Sequence, residues 1–290
     1  MARDYNDGPV TAPDYRGKAR LADQRPALSA VLITRDAARH IDACLASLAF
    51  ADEVVVVDSG SADDTRERAR ARGARVIEHA WLGFGPQKQL AVSAAAHDWV
   101  LCVDADERVS DALRASILAT LAAPRAYVYA MPRCNRFLGR WLRHGEGYPD
   151  WSTRLFHRAH ARWTDDVVHE RVVSAELVAK LSGDLLHDSA ESLERYLEKQ
   201  NRYTTLQAER LAAAGVWPGA IAIAVRPVAR FLKMYVLRLG FLDGFPGFVH
   251  IAIGCWNTFT KNVKARALAE ASSRTTVRSA PSSPSELERR

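Results

Sequence analysis

The sequence predicts an α/β protein whose mostly parallel sheet is flanked by helices and followed by a helical C-terminal region. Short apolar, β-branched runs alternate with helical stretches from residue 28 onward, the pattern of repeated β-α-β units. The 290 residues, 48% of them hydrophobic, suffice for one such domain and a smaller appendage. We therefore expect a disordered segment at 1–26, a main domain at 27–185, a helical region at 186–270 and a disordered tail at 271–290.

Four apolar runs are predicted to form the first strands of the sheet. The runs are LSAVLIT at 28–34, EVVVVD at 53–58, ARVIEH at 74–79 and DWVLCVD at 98–104. After the first run, Ile41, Leu45 and Leu48 recur at helical spacing, so this segment is predicted to pack one apolar face on the sheet. The charged segment 63–72 is predicted to be a solvated helix, and Ser110 is predicted to cap the helix after the fourth run.

The pattern changes after YVYAMP at 127–132. As far as Val173 it is irregular and rich in aromatic residues, glycine and arginine, which is typical of loops that bind a substrate. Ser189 to Ala214 is predicted to be a long amphipathic helix. From Val216 to Lys264, basic residues interrupt apolar runs that are shorter than the roughly 20 residues needed to cross a bilayer. This favours helices that lie in a membrane interface, the alternative being helices packed on the main domain.

The charge and the cysteines indicate partners and compartment. A net charge of +6 and a pI near 9.3 indicate an anionic partner, such as nucleotide phosphates or an anionic membrane surface. Nucleic acid is not expected, because the basic residues cluster in the C-terminal apolar stretch and no nucleic-acid module is present. Four scattered cysteines and an N-terminus without an export signal predict a cytoplasmic protein, peripheral on the inner face of the cytoplasmic membrane.

The strongest functional signal is the segment Asp104-Ala105-Asp106-Glu107, which follows the fourth apolar run. The two-residue period of a strand places Asp104 and Asp106 on the same side, at the sheet edge where open α/β folds bind ligands. Two carboxylates there supply oxygen ligands to Mg²⁺ or Mn²⁺, and the metal would neutralise a diphosphate leaving group. The alternative is a pair of solvated aspartates in a turn.

Two more charged residues stand near predicted strand and helix ends. Asp58 closes the second run, where a carboxylate can accept hydrogen bonds from a ribose or a base, or can cap the turn. Lys88, in GFGPQKQLAVSAA, is predicted at the start of a helix, where it could attract a diphosphate. The alternative is an ordinary surface lysine.

Two other enzyme classes fit less well. A dinucleotide-binding fold requires G-x-G-x-x-G after the first strand, where this chain has Thr34-Arg35-Asp36. A haloacid-dehalogenase-type phosphatase also has D-x-D after a strand, but its motif continues with Thr or Val where this chain has Arg108.

The order of these motifs resembles the inverting family 2 glycosyltransferases. The resemblance covers about Leu28 to Val173, with T-R-D after the first strand, V-V-D-S-G-S-x-D-x-T in the second unit, Q-K-Q-x-A in the third and D-A-D-E after the fourth. Family members commonly have Asn-Glu where this chain has Arg35-Asp36. The resemblance implies the GT-A fold, a metal-dependent reaction and a nucleotide-sugar donor, usually a uridine diphosphate sugar.

The same resemblance assigns residues to the donor. It implies that Thr34, Asp36 and Asp58 hold the nucleotide, that Asp106 binds the metal, and that Asp104 contacts the ribose or the metal.

Three downstream segments resemble the subgroup that builds lipopolysaccharide cores, its glucosyltransferases in particular. The segments are Gly147-Tyr148-Pro149-Asp150-Trp151-x-x-Arg154, Val168-His169-Glu170 and Gly240-Phe241-Leu242-Asp243-Gly244. In this interpretation Tyr148 and Trp151 offer flat faces to sugar rings, and Arg154 clamps a phosphate or an acceptor anion. The alternative for the aromatic residues is core packing.

Inversion at the anomeric carbon requires one general base to deprotonate the acceptor hydroxyl. Glu170 is the first candidate and Asp150 the second, because both belong to the region expected to bind the acceptor. His169 is a further candidate base, or a group that supports the metal or diphosphate. The alternative for His169 and Glu170 is a pair of surface strand residues.

The sequence thus predicts transfer of a sugar, glucose from UDP-glucose, with inversion onto a lipid-linked saccharide in lipopolysaccharide core biosynthesis. Two alternatives stay open. One is a nucleotidyl or phosphoryl transferase that uses the same metal site, and the other is a non-catalytic scaffold at the membrane surface.

Overall fold

The computed structural model describes residues 25–166, 170–188 and 192–279, with side chains described as far as residue 270. Within these residues the chain forms two compact units, one made of 25–136 and 148–188 and the other of 137–147 and 192–279. The predicted domain boundary after residue 185 stays a prediction, and the assignment of 137–147 to the second unit was not predicted. Residues 1–24 of the predicted N-terminal segment lie outside the described residues.

A mixed sheet forms the centre of the first unit. The strands of the described residues in chain order are β1 (Leu28–Thr34), β2 (Glu53–Asp58), β3 (Arg75–Glu78), β4 (Trp99–Cys102), β5 (Glu107–Val109), β6 (Val128–Phe137), β7 (Arg140–Trp141), β8 (Asp150–His157), β9 (Ala161–Trp163), β10 (Val172–Ser174), β11 (Val178–Lys180) and β12 (Leu185–His187). Of these, β7 belongs to the residues of the second unit. The main path runs β3-β2-β1-β4-β8-β6-β12-β5, with β11 beside β6, while β9 and β10 form a separate pair.

The sheet is parallel in only part of its width. β3, β2, β1 and β4 are parallel, as the four apolar runs predicted. β8 is antiparallel to both of its neighbours, and β5 is antiparallel to β12. β11 and β12 are again parallel to β6. The predicted mostly parallel sheet is therefore correct for the first four strands and for these two pairs, whereas the antiparallel β8 and β5 make the sheet mixed. The physical reason is that an apolar run indicates a buried strand but not the direction of the strand that pairs with it, so the antiparallel insertion of β8 between β4 and β6 has no local signal.

Four helices flank this sheet: α1 (Ile41–Ser47), α2 (Thr65–Ala71), α3 (Phe84–Ala94) and α4 (Asp111–Ala122). They follow the predicted pattern. Ser110 caps α4, because its Oγ accepts a hydrogen bond from the backbone N–H of Leu113 at 3.3 Å. The predicted helix at 63–72 corresponds to α2, whose basic side chains form exposed ion pairs, including Arg68 with Asp64.

The core lies on both faces of the sheet because side chains alternate along each strand. On one face, Leu28, Ala30 and Leu32 of β1 belong to a cluster that also contains buried residues of α1, α2 and α4. On the other face, Val31 belongs to a cluster with Ala91 and other residues of α3. The strands of the centre therefore read as continuous apolar runs, as expected for strands covered on both sides.

The second unit is mainly helical. It contains α5 (Leu193–Ala213), α6 (Ala220–Phe231), a π-helical segment (Leu232–Leu237), a 3₁₀ segment (Gly240–Asp243) and α7 (Gly244–Ser279). α7 extends into the segment predicted to be a disordered tail from residue 271. The described helices include none with the length and apolar character required to cross a bilayer.

Candidate active site

The carboxyl ends of three strands meet at one edge of the sheet. Thr34, the last residue of β1, pairs in register with Asp58, the last residue of β2. On the other side of β1, Val31 pairs with Cys102 at the end of β4. Asp104, two residues further on, therefore lies at the same edge. In open α/β sheets this is the edge at which ligands bind.

The Asp58 carboxylate is fully buried and is held by protein hydrogen bonds. Its Oδ1 accepts from the backbone N–H groups of Gly60 at 3.1 Å and Ser61 at 2.9 Å. Its Oδ2 accepts from the hydroxyls of Thr34 at 2.9 Å and Ser61 at 2.5 Å. Although burial opposes ionisation, these bonds hold the pKa of Asp58 below its usual value. This geometry supports the turn-capping alternative for Asp58.

Asp36 connects two loops of the same corner. Its backbone N–H donates to Ser61 Oγ at 2.9 Å, and its Oδ1 accepts from the N–H of Ala62 at 2.7 Å. The Asp36 side chain is 52% exposed, in contrast to Asp58. Nearby, Gln87 Nε2 of α3 donates to Ser59 Oγ at 3.0 Å and so ties the helix to the loop after β2.

A network of charged side chains of alternating sign extends along the edge in the order Glu170, Lys88, Asp104, Arg154, Glu107, Arg133, Asp150. Lys88 Nζ lies 2.9 Å from Glu170 Oε1 and 3.0 Å from Asp104 Oδ1. Arg154 Nη2 lies 2.6 Å from Asp104 Oδ2 and 2.9 Å from Glu107 Oε1. Arg133 spans Glu107 at 3.7 Å and Asp150 at 2.7 Å. We call these seven residues the charge network.

The pKa values of Asp104 and Glu107 shift in opposite directions within the charge network. For Asp104, the positive charges of Arg154 and Lys88 overcome desolvation and hold its pKa well below the usual value. For Glu107, whose side chain is completely buried, desolvation prevails and raises its pKa. The two carboxylates in turn raise the pKa of the Arg154 guanidinium against its own burial. Asp104 is thus an ionised group with a cation on each oxygen.

Lys88 is a buried residue of α3 and not a surface lysine, being 7% exposed. Its Nζ also lies 4.7 Å from the ring centroid of Trp163, a favourable cation–π contact. Close packing of α3 makes this placement possible, because a Cβ on Gly85 would collide with the carbonyl oxygens of Thr164 and Asp166. The Gly85 N–H donates to the Asp166 carbonyl at 3.1 Å.

Asp106 pairs with His187, and neither residue belongs to the charge network. Asp106 Oδ2 lies 3.3 Å from His187 Nε2, and His187 Nδ1 lies 2.7 Å from Asn135 Oδ1. An amide oxygen only accepts, so Nδ1 carries the proton and Nε2 faces the carboxylate. Despite desolvation, the hydrogen bond and charge of His187 lower the pKa of Asp106. A carboxylate oxygen and an imidazole nitrogen held this close together form a pair that can also bind a divalent cation.

Asp106 and His187 are therefore the candidate metal ligands. Both side chains are partly exposed, at 32% and 21%. Carboxylate oxygen and imidazole nitrogen suit Mn²⁺, and carboxylate oxygen suits Mg²⁺. In the described ranges, no group of three or more His, Cys, Asp or Glu residues is arranged to hold a metal ion. A cation at this pair would complete its coordination with phosphate oxygens and water, as Mg²⁺ commonly does.

The start of β8 presents the residues predicted to face an acceptor. Asp150 and Trp151 are each 41% exposed. Lys180 Nζ lies 4.5 Å from the ring centroid of Trp151, so this indole is a surface group and the core-packing alternative does not describe it. Tyr148 is partly buried, and its hydroxyl donates to Asp184 Oδ1 at 2.7 Å.

Arg154 differs most from the role that the sequence suggested. It is 5% exposed, and its guanidinium donates to Asp104 and Glu107. This position supports neutralisation of the acidic motif better than an external clamp for an acceptor anion. His169 lies outside the described residues.

Four residues of the site were not predicted from the sequence: Glu107, Arg133, Asn135 and His187. Glu107 belongs to the acidic segment and was overlooked beside its two aspartates. His187 and Asn135 pair in register on β12 and β6. A signal for His187 existed, since it closes an apolar strand just as Asp58 does, but β12 has only three residues and is too short to recognise from periodicity.

The fold and the acidic edge define a class, an α/β enzyme with its ligand site at the carboxyl edge of the sheet. The model of glycosyl transferase family 2 matches residues 29–181, more than half of the chain. An uncharacterized glycosyltransferase of Rickettsia bellii is 31% identical over 83% of this chain and 86% of the relative. The chain therefore belongs to glycosyl transferase family 2.

Two further proteins are similar to this chain, one in sequence and one in structure. The lipopolysaccharide core biosynthesis glycosyltransferase LpsC of Rhizobium meliloti is 28% identical over 82% of this chain and 91% of its own length. Among solved structures, S. aureus TarS 1-349 in complex with UDP-GlcNAc is 16% identical, with a TM-score of 0.45, over 86% of this chain and 92% of that chain.

Proposed function

We propose that this glycosyltransferase moves a sugar from a nucleoside diphosphate donor, with inversion, to a saccharide of the lipopolysaccharide core. The observation that carries the proposal is the pairing of Asp106 with His187 at the ligand-binding edge of a family 2 domain. Similarity to LpsC along most of both chains supports the lipopolysaccharide core as acceptor. UDP-glucose is the donor that we expect first, and the inner face of the cytoplasmic membrane is the expected place of action.

We propose different residues for binding the metal, for contacting the nucleoside and for fixing the charge of Asp104. Asp106 and His187 would hold Mg²⁺ or Mn²⁺, which supplies charge stabilisation to a departing diphosphate when bound. Asp36 and the loop shaped by Asp58 would contact the nucleoside. Lys88 and Arg154 keep Asp104 ionised and fixed, so that the edge has a defined charge before the donor binds.

The acceptor hydroxyl must lose its proton as its oxygen bonds to the anomeric carbon and the carbon–oxygen bond to the diphosphate breaks on the opposite face. We propose Asp150 as the base, ahead of Glu170. Asp150 is 41% exposed, whereas Glu170 is 18% exposed and binds the buried Lys88. Both hydrogen bonds from Arg133 reach the same oxygen of Asp150, Oδ2. Trp151 has an exposed ring that would stack on a sugar.

The test is a turnover assay with a panel of nucleotide sugars, core-truncated lipopolysaccharide and Mn²⁺ or Mg²⁺. We expect nucleoside diphosphate to be released with one donor, and only when both metal and acceptor are present. Release of pyrophosphate or phosphate would identify a nucleotidyl or phosphoryl transferase instead. No turnover with a competent acceptor would favour the scaffold alternative.

A pair of variants tests the metal site. Asp106→Ala is expected to lower kcat by at least about 100-fold with an unchanged fold, because it removes a ligand from an exposed edge. Asp111→Ala is the matched control, since this aspartate is 85% exposed in the first turn of α4. Full activity of Asp106→Ala would refute the assignment.

A further inference from the structure

The second unit has a stripe of apolar side chains that face solvent. Neither α6 nor the π-helical segment after it contains a buried residue. Ile221, Val225, Val228 and Leu232 are 81%, 55%, 60% and 53% exposed. The positions i, i+4, i+7 and i+11 fall on one face of a helix. We call these four residues the α6 stripe.

The exposed apolar surface continues before and after the α6 stripe. The further residues, all of them at least 45% exposed, are Val216, Trp217, Val236, Leu237, Leu239, Phe241, Leu242 and Phe245. Scattered apolar residues are ordinary on a protein surface, but a long exposed run of them marks an interaction site.

The charges around this surface are almost all of one sign. Residues 216–269 contain seven basic side chains: Arg226, Arg230, Lys233, Arg238, Lys261, Lys264 and Arg266. The single acidic residue of the segment, Asp243, is 2% exposed and accepts hydrogen bonds from the backbone of Arg143 and His144. Two of the seven basic side chains have acidic partners outside the segment, since Glu146 forms an ion pair with Arg230 and Glu270 with Arg266. The outer surface of this segment is therefore apolar and basic.

We infer that the α6 stripe and the π-helical segment lie in the head-group region of an anionic lipid bilayer. A helix with apolar residues on one face and basic residues on the other partitions into that plane, with its axis parallel to the surface. Each lysine or arginine near an anionic surface strengthens binding roughly fivefold at low salt. The inference identifies the contacting face and does not depend on the proposed reaction.

A second copy of this chain is the less compatible occupant. A two-fold contact through the α6 stripe would bring the same net-basic segment of both copies together, and like charges oppose association.

The first test is cosedimentation of the full chain with vesicles of phosphatidylcholine, with and without phosphatidylglycerol. We expect binding to the anionic vesicles that weakens as salt increases. Ile221→Glu is expected to weaken this binding about tenfold or more. The matched control is Leu177→Glu, which changes a leucine of the first unit that is 90% exposed and should leave binding unchanged.

The second test separates charge from apolar contact. Arg226→Gln combined with Lys233→Gln should weaken binding to anionic vesicles about 25-fold. Arg125→Gln combined with Arg162→Gln removes the same charge from the first unit and should have little effect. Quenching of tryptophan fluorescence by brominated lipid should decrease in Trp217→Phe, because Trp217 is exposed just before α6.

Three results would overturn the inference. They are failure of the unmodified chain to bind anionic vesicles, equal binding by Ile221→Glu and the unmodified chain, and dissociation of a dimer by Ile221→Glu in sedimentation velocity. The last result would assign the surface to a second copy.

Discussion

Replacement of Arg154 by methionine tests whether the charge network depends on this guanidinium. Methionine keeps much of the side-chain volume but leaves Glu107, which has no exposed surface, without its 2.9 Å partner. Breaking a buried ion pair from one side costs about 3–5 kcal/mol. We expect the lower part of this range, near 3 kcal/mol, because Glu107 retains the Asp104 N–H at 2.9 Å and Arg133 at 3.7 Å.

The assay is urea unfolding followed by tryptophan fluorescence. With a urea dependence of about 2 kcal/mol per molar, a loss near 3 kcal/mol lowers the midpoint by about 1.5 M. The matched control is Arg158→Met. Its ion pair with Asp98 is solvent-exposed, at 32% and 62%, so we expect a loss below about 1 kcal/mol.

A double variant distinguishes the buried charge from loss of packing. Adding Glu107→Gln to Arg154→Met removes the uncompensated charge and keeps an acceptor for the Asp104 N–H, so at least half of the lost stability should return. The reasoning is refuted if Arg154→Met behaves like Arg158→Met, or if Glu107→Gln adds a further loss of its own.

Three other substitutions test separate parts of the site. Asn135→Ala removes the hydrogen-bond acceptor that orients His187, so the Mn²⁺ concentration for half-maximal turnover should rise about 10- to 100-fold. An unchanged Mn²⁺ concentration would contradict a role of His187 in metal binding. Asp150→Asn should lower kcat about 100-fold or more with little change in KM, and this loss should exceed the loss of kcat in Glu170→Gln. A larger loss of kcat in Glu170→Gln would make Glu170 the base. Gly85→Ala should lower the free energy of unfolding by about 1–3 kcal/mol, because the new Cβ would meet backbone carbonyl oxygens. An unchanged urea midpoint would show that the backbone can shift to make room.

The sequence predicted the first half of the fold well because each element there has a strong local signal. Leu28–Thr34 and Glu53–Asp58 match the predicted strands residue for residue. These strands are buried on both faces, so their apolar runs are unbroken and their polar ends are conspicuous. The second half was less predictable, since β9 to β12 have three residues each and carry no recognisable period.

The candidate site, like the fold, was predictable from the sequence only in part. The sequence by itself determined that carboxylates stand at strand ends, because Asp58 and Asp104 directly follow or close apolar runs. Local pattern, however, contains no information on which side chains from distant segments meet. Tertiary structure alone paired Asp104 with Arg154 and Lys88, and Asp106 with His187.

The exposure of each charged group was also decided by tertiary packing. Asp58 and Lys88 were expected to face a ligand, and packing buried both of them. A carboxylate or ammonium can be buried only where partners from other segments compensate its desolvation, as the hydroxyl of Thr34 does for Asp58 and the carboxylate of Glu170 does for Lys88. Residue type and spacing thus determined where charge is placed along the chain, and the long-range partners determined which of those charges remain accessible to a substrate.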